Sequence, residues 1–521
     1  MQLIELTQRL SAYPNGEVLE CIGSGIRKRT FPQLKSDVEA ATERLQQSGV
    51  RVGMRIGLLA ENCYEWIVFE LAIVEMRCIT VALVDEIVQQ GLEEASTKYG
   101  LHLIVTDRCP ADRPALMLAM HEADASASAR NDIKCVNDPQ YATASWVFSS
   151  GSSGRTKVIQ TQRVGIEQLV NNLPTAFELI DGDRFLVFLP MASFQQRFLI
   201  YGCLWNGVDL VITQPKFLFQ VLKQCPPTIL LAPPAFYSAI AAKFQNLSPW
   251  RQMALKALHR IRELIPYPPL QDALIKITSR PLYDVLGSRV RLMITGMAPI
   301  SLSTLRLFDQ IGLPVYEVYG MTECGMIAWN TPRARRLGSV GRPLNDAVVS
   351  IADDGEVLVS RTAQPTVGYL FEDSDEDQAS TYRGEGTIAT GDIGYIDADG
   401  FLYLRGRKKN IIVTAGGLKL HPESIEERIN GSPDIDQSAV FATNGSGLTA
   451  VIVARAALPE RQDRIRRFIA EINRDLSAES QLLNLIFSSP FTPENSLLTA
   501  NLKLNRKAIE ASFNAKAENA A

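Results

Sequence analysis

Short, nearly continuous apolar runs recur through the first three fifths of the chain, each set off from the next by a stretch with helical spacing. RIGLLA (55–60), LHLIVTD (101–107), FLVFLP (185–190), DLVIT (209–213), TILLAPP (228–234) and RLMITG (291–296) are of strand length. FPQLKSDVEAATERLQQSGV (31–50), which ends at Gly49, and ENCYEWIVFELAIVEM (61–76) have helical spacing. This alternation predicts βαβ units around mostly parallel sheet, an α/β protein. Further strand-like runs follow in 339–360 and in FLYLRGR (401–407), and after residue 410 the pattern restarts on a smaller scale. IIVTAGGLKL, HPESIEERI, AVFATN, LTAVIVA and the charged helix ERQDRIRRFIAEINRDL together predict an α+β domain of about a hundred residues. The expected organisation is a large domain over 1–406 and a small mobile one over 407–521, joined near the basic turn GRKKN (406–410).

Composition bounds what this frame can do. The 521 residues are 46% hydrophobic and 21% charged, with a formal net charge of −4. Mild acidity argues against general nucleic-acid binding, which wants a basic face. The eight cysteines form no CxxC pair, so they are expected to be free thiols of a cytoplasmic protein. Glu5 and Arg9 interrupt the apolar N-terminus, unlike a secretory signal. Glu70, Glu75 and Arg77 interrupt the most apolar window, 66–84, so no membrane span is expected there. The acidic run FEDSDEDQAS (371–380) is expected to be a solvated loop.

WVFSSGSSGRTKVIQ (146–160) sets six small residues between a predicted strand and Lys157. Small residues let backbone N–H groups converge on one point, Ser hydroxyls add donors, and the lysine adds charge: an anion cradle suited to phosphate. It is not a Walker A loop, because Thr156 precedes the lysine and Val158 follows it. A flexible serine linker is the plain alternative. RLMITGMAPIS (291–301) and VYEVYGMTECG (315–325) add a second cluster. There Tyr319 offers a flat face for a base, Gly320 a close approach to the backbone, Thr322 a hydroxyl for phosphate and Glu323 a carboxylate for a hard cation such as Mg²⁺. In IATGDIGYIDADGFLYLRGRKKNIIVTAGG (388–417), Asp392 between glycines suits ribose hydroxyls, and Arg407 can reach a phosphate or ribose.

Taken in order, these segments resemble the adenylate-forming superfamily of acyl-CoA synthetases, luciferases and peptide-synthetase adenylation domains. SSGSSGRTK is similar to its phosphate loop, YGMTE to its Y-G-x-T-E motif, TGD and GRKKN to its ribose and hinge motifs, and LTANLKLNRKAI (498–509) to the segment bearing its C-terminal lysine. The resemblance spans about residues 31 to 510 and, in LPMASFQQR, TILLAPPAFY and GRKKNIIVTAGG, is greatest to fatty acyl-CoA synthetases. It implies an enzyme that uses ATP and Mg²⁺ to activate a carboxylic acid as an acyl-adenylate, then passes the acyl group to a thiol. It also implies roles. Ser149, Ser150, Gly151, Ser152, Ser153, Gly154 and Lys157 would hold the ATP phosphates; Gly296, Met297, Ala298, Glu317 and Tyr319 would frame adenine and the acyl entry. Thr322 would contact phosphate, Glu323 would bind Mg²⁺, Asp392 and Arg407 would hold the ribose, and Lys503 would bridge carboxylate and ATP. Lys408 would be the hinge, Ala415, Gly416 and Gly417 would line the thiol channel, and Ser193, Tyr237 and Met297 would shape the acyl pocket.

Departures from the family pattern are Thr156-Lys157-Val158 for Pro-Lys-Gly, Ser193 for a common histidine, and Gly386-Thr387 for Gly-Trp. The charged residues all remain. CoA is the leading acyl acceptor, a carrier-protein phosphopantetheine arm its rival, and a non-catalytic nucleotide-binding scaffold the reading from another class.

Overall fold

The computed structural model describes the chain except for residues 24, 90, 109–116, 121–141, 151–155, 246–252, 254–256, 258–284, 372–374, 385, 415, 444–446, 456–457, 493, 499–503 and 519–521. Three sheets build the large domain. The first has nine strands and is parallel through its centre, where Leu292–Thr295, Ile229–Ala232, Arg184–Val187 and Asp209–Ile212 lie side by side. Their burial is nearly complete, as expected of parallel strands covered on both faces. The second has seven strands, with Arg55–Leu59, Ile79–Ala82 and Leu103–Thr106 parallel at its middle. The third is a five-stranded antiparallel sheet that includes Glu356–Arg361, Thr387–Ile396 and Leu402–Arg407. The expected α/β architecture is therefore present, with antiparallel edges that the alternating pattern did not foretell. One of these is the hairpin Glu17–Ile22/Gly25–Thr30.

Local signals account for the helices. Thr30 and Gln33 form a reciprocal capping box at the start of Phe31–Gln47, and Gly49 takes φ +84° just beyond its end. Tyr64–Glu75 is apolar all round and lies in the core. A buried Arg197–Glu70 ion pair, with the Tyr201 hydroxyl on the same carboxylate, ties it to Phe194–Trp205. That anchors the helix whose first turn carries Gln195. Asp375–Thr381 is a helix, which corrects the later part of the loop expected over 371–380; residues 372–374 lie outside the described residues.

The small domain has cores of its own, one around Ile425, Ile452 and Ile469 and one around Phe441, Phe491 and Ile509. Its sheet pairs Ile435–Thr443 antiparallel with Gly447–Ala454, and the latter parallel with Leu482–Phe487. Helices Pro422–Asn430, Pro459–Arg474 and Arg506–Glu518 accompany it. Arg506 pairs with both Glu423 and Glu426, joining the last helix to the first. Among the described residues, no helix is long and apolar enough to cross a membrane.

Candidate active site

Strand Thr143–Ser150 turns back antiparallel into Thr156–Gln162, with Ser149 opposite Lys157 and Ser150 opposite Thr156. Of the small-residue loop, Gly151, Ser152, Ser153 and Gly154 lie outside the described residues. The loop's two feet are neighbours in one ladder, so Lys157 stands at the base of the turn. Its Nζ lies 4.5 Å from the centroid of the Tyr369 ring. Tyr369 in turn donates its hydroxyl to Glu323 Oε1 at 2.9 Å. Residues 157, 323 and 369, far apart in sequence, thus meet at one place.

Thr322 and Glu323 follow directly on Val315–Met321. Thr322 Oγ1 accepts from Gln195 Nε2 at 3.4 Å, and Ser193 donates to Gln195 Oε1 at 3.3 Å. A chain of three polar side chains therefore links Ser193 to Thr322. The backbone carbonyl of Glu323 accepts from the Thr366 hydroxyl. Among the described residues, no group of three or more His, Cys, Asp or Glu side chains could hold a metal ion by itself. One carboxylate completed by nucleotide phosphates is a usual Mg²⁺ arrangement, and Glu323 fits it.

Asp392 and Arg407 face each other across adjacent strands, with Arg407 Nε 2.7 Å from Asp392 Oδ1. Tyr319 donates its hydroxyl to Asp392 Oδ2 at 2.6 Å. The sequence-based roles of Tyr319 and Asp392 are thereby joined in one buried hydrogen bond. Tyr319 is 8% exposed, so little of the flat face offered to a base is open to solvent.

Two glycines owe their presence to neighbouring protein. A Cβ on Gly320 would come within 2.5 Å of the Gly325 carbonyl oxygen, so the adjoining hairpin strand approaches the backbone closely there. A Cβ on Gly296 would lie 2.8 Å from Val318 Cγ2. The next residue, Met297, takes φ +72° and is 47% exposed; Ala298 is exposed as well. A non-glycine residue in that region is strained, and such strain gathers at functional sites. Tyr237 corrects the expected pocket assignment. It is fully buried, donates to the carbonyls of Leu230 and Ile294, and packs edge-on against Phe308, so it is a core residue.

At the domain joint, Lys408 pairs with Asp354 at 2.6 Å and Glu356 at 2.9 Å and opens a short 3₁₀ turn, Lys408–Asn410. The Asp354 carboxylate and the Lys408 ammonium hold each other charged: Lys408 is shifted up and Asp354 down, each mainly by their shared hydrogen bond. Lys409 is shifted down, first by burial and then by the charges of Arg407, Lys157 and Lys507. Lys409 thus lies in the field of three other cations, offset in part by the Asp392 carboxylate. Gly416 and Gly417 are exposed, beside Leu418, Ser477 and Glu479, and Thr414 donates to Glu479 at 2.5 Å. Ala415 and Lys503 lie outside the described residues, so the sequence-based roles of the loop end and of the C-terminal lysine rest on the motifs alone.

Glu317 is held up at about pKa 8, chiefly by burial. The Arg335 guanidinium opposes the shift, and the Glu427 carboxylate, on the small domain, adds to it. The unfolded chain releases this proton near 4.5 and the folded chain keeps it up to about 8, so rising pH costs stability across that interval. Glu317→Gln should flatten this loss. Melting midpoints at about pH 5.5 and 8.5 test it; an unchanged difference between the two would show that Glu317 does not titrate in this way.

Sequence reasoning passed over Tyr369, Gln195 and Lys409. Lys409 had a signal, as the second lysine of GRKKN. Gln195 and Tyr369 had none at the level of single motifs, because their partners lie 127 and 46 residues away.

A large α/β body with a separate, smaller C-terminal α+β domain matches the structures of adenylate-forming ligases. Residues 6–371 match the model of the AMP-binding enzyme family and residues 409–520 that of the AMP-binding enzyme C-terminal domain. The chain belongs to the AMP-binding enzyme family and is an adenylate-forming acid–thiol ligase. It is 25% identical to a long-chain-fatty-acid–CoA ligase of Mycobacterium tuberculosis over 93% of this chain and 90% of that one. It is 24% identical to a 2-succinylbenzoate–CoA ligase of Bacillus pumilus over 84% and 85%. Among solved structures, an anthranilate CoA ligase in complex with anthranoyl-AMP has TM-score 0.76 and 18% identity, covering 99% of this chain and 98% of that one.

Proposed function

We propose that the chain activates a fatty or related carboxylic acid with ATP, releasing pyrophosphate and forming an acyl-adenylate, then passes the acyl group to the thiol of CoA and releases AMP. The observation that carries this reading is the meeting of Lys157 and Glu323 on Tyr369 at the foot of the Ser149–Lys157 hairpin. The first step brings a carboxylate to the α-phosphate of an anionic nucleotide. It needs no base, and charge repulsion is the obstacle, so positioning and cations do most of the catalysis. In this reading Lys157, with Ser149 to Gly154, binds the β- and γ-phosphates, and Lys409 raises the positive potential beside them. Thr322 donates to a phosphate oxygen, Asp392 and Arg407 hold the ribose, and Lys503 meets the carboxylate and the α-phosphate. Bound Mg²⁺, held by Glu323, would supply further charge neutralisation at the phosphates. Met297 and Ala298, exposed beyond Gly296, border the acid's entry, and Ser193 begins the Gln195–Thr322 chain that leads from the acid to the phosphates.

The fatty-acid assignment is supported by the synthetase-like motifs and by the fatty-acid ligases among the relatives. A carrier-protein thiol is the second reading, favoured by one relative, a long-chain-fatty-acid–[acyl-carrier-protein] ligase of Arabidopsis thaliana, 22% identical over 93% of this chain. Pyrophosphate exchange across a panel of fatty, aryl and short dicarboxylic acids tests the first step. CoA or a holo carrier protein is then added to identify the acceptor. Exchange with no acid, alongside tight ATP binding, would overturn the enzyme reading in favour of a scaffold.

Lys408 is proposed as the hinge between the two steps. In support of an adenylating orientation, the charge of Glu427 on the small domain acts on Glu317 and that of Lys507 on Lys409, while Gly416 and Gly417 are exposed. Lys408 opens a 3₁₀ turn after an extended Arg407 (φ −94°, ψ 134°). Proline is accepted at such a first position and prefers an extended residue before it. Lys408→Pro should therefore keep acyl-AMP formation and lose thioester formation. Lys408→Ala, which removes the ion pairs and leaves φ mobile, separates charge from torsion. Equal loss of both steps in the proline variant would rule out Lys408 as the hinge.

A further inference from the structure

We infer that Tyr369 is a positioning residue that sets Glu323 and Lys157 in fixed places at the phosphate end of the site. The inference rests on the nucleotide reading above. Tyr369 lies on the strand Thr366–Leu370, which pairs antiparallel with the lysine-bearing strand so that Tyr369 is opposite Ile159 and Leu370 opposite Val158. Lys157 is two residues from Ile159, so it shares that face of its strand and stands diagonal to Tyr369. This register brings the ammonium to 4.5 Å from the ring centroid, within cation–π range. The phenol hydroxyl points the other way along the ring and donates to Glu323 Oε1 at 2.9 Å.

One side chain therefore meets the cation with its face and the carboxylate with its tip. An ammonium in direct contact with a carboxylate would neutralise it, and both charges would be spent on each other. With the ring holding Lys157 and the hydroxyl holding Glu323, each is aimed at its own ligand: a phosphate for the lysine and a divalent cation for the carboxylate.

The ring is itself well fixed. The Tyr369 N–H donates to Gln378 Oε1 at 2.7 Å, and the ring meets Tyr382 edge-on at 5.3 Å. The same short strand grips Glu323 twice, by the Tyr369 hydroxyl on its side chain and by the Thr366 hydroxyl on its backbone carbonyl. The next residue, Phe371, takes φ +79° and sets its ring against Trp146 of the same sheet and Tyr99 at the end of the helix Leu92–Tyr99, which fastens the end of the strand. Hydrogen-bond partners of metal-binding carboxylates typically affect metal affinity by about 10–100-fold.

Tyr369→Phe removes the hydroxyl and keeps the ring. Mn²⁺ binding in the presence of a non-hydrolysable ATP analogue, followed by electron paramagnetic resonance, should weaken by about tenfold or more. Affinity for the analogue without metal should stay within about twofold, because the lysine keeps its ring. Tyr369→Leu should weaken the metal-free binding as well. Melting curves check that both variants are folded, and the phenylalanine variant decides the question if the leucine variant is not. If Tyr369→Phe binds Mn²⁺ as the parent does while Glu323→Gln does not, the positioning role is overturned and the metal reading stands. If Glu323→Gln itself binds Mn²⁺ as the parent does, both fall.

Discussion

Lys503→Ala is expected to lose adenylation by about 10²–10³-fold, the usual result of removing one preorganised donor where charge develops. Supplied with preformed acyl-AMP and the thiol, the same variant should still make thioester near the parental rate. The two half-reactions separate because the lysine belongs to the small domain and, in the proposed cycle, leaves the site once that domain rotates. A lysine that is merely one more surface cation is worth at most about 1 kcal/mol. Arg467→Ala, which removes an exposed cation from the same domain, measures that background. Lys507 is unsuited to this comparison, since its charge acts on Lys409, as do those of Lys157 and Arg407. Normal adenylation by Lys503→Ala, or equal loss of both steps in a folded variant, would remove the role.

Glu323→Gln should depress adenylation by roughly 10²–10³-fold with the fold intact, because it keeps size and hydrogen-bonding reach while deleting the negative charge that would hold a divalent cation. Glutamine can still accept from the Tyr369 hydroxyl, so the melting midpoint should hardly move. The loss should be partly recovered at high Mg²⁺ if the defect is weakened ion binding. An unchanged rate at limiting Mg²⁺ would show that the ion is held elsewhere.

Much of the frame was legible before any coordinates. The runs at 55–60, 101–107, 185–190, 209–213, 228–234 and 291–296 each contain a strand, because a strand buried on both faces needs apolar residues almost continuously. The helix over 31–47 was legible from its apolar spacing and from Gly49 just beyond its end, while the Thr30–Gln33 capping box at its start was passed over. The antiparallel hairpin at 17–30 was missed: its outer strand, GIRKRT, carries three charges and has no buried residue, so it has no apolar signature. The helix at 375–381 was missed because acidic composition resembles a solvated loop.

For the site, the sequence alone determined which residue types stand at which motif positions: the small-residue loop before Lys157, the threonine and glutamate after Tyr319, the aspartate at 392 and the arginine at 407. Motif spacing is a property of the chain, and it carried the family. What each of these side chains touches was decided only by tertiary structure. Folding gave Asp392 both Tyr319 and Arg407, put Tyr369 between Lys157 and Glu323, drew Lys409 into the field of Lys157 and Lys507, spent the space beside Gly320 on the backbone of Gly325, and sealed Tyr237 into the core. The reason is physical. Periodicity and capping act over one or two turns of chain. Hydrogen bonds, ring contacts and burial act across space, between residues whose separation along the chain bears no relation to their distance.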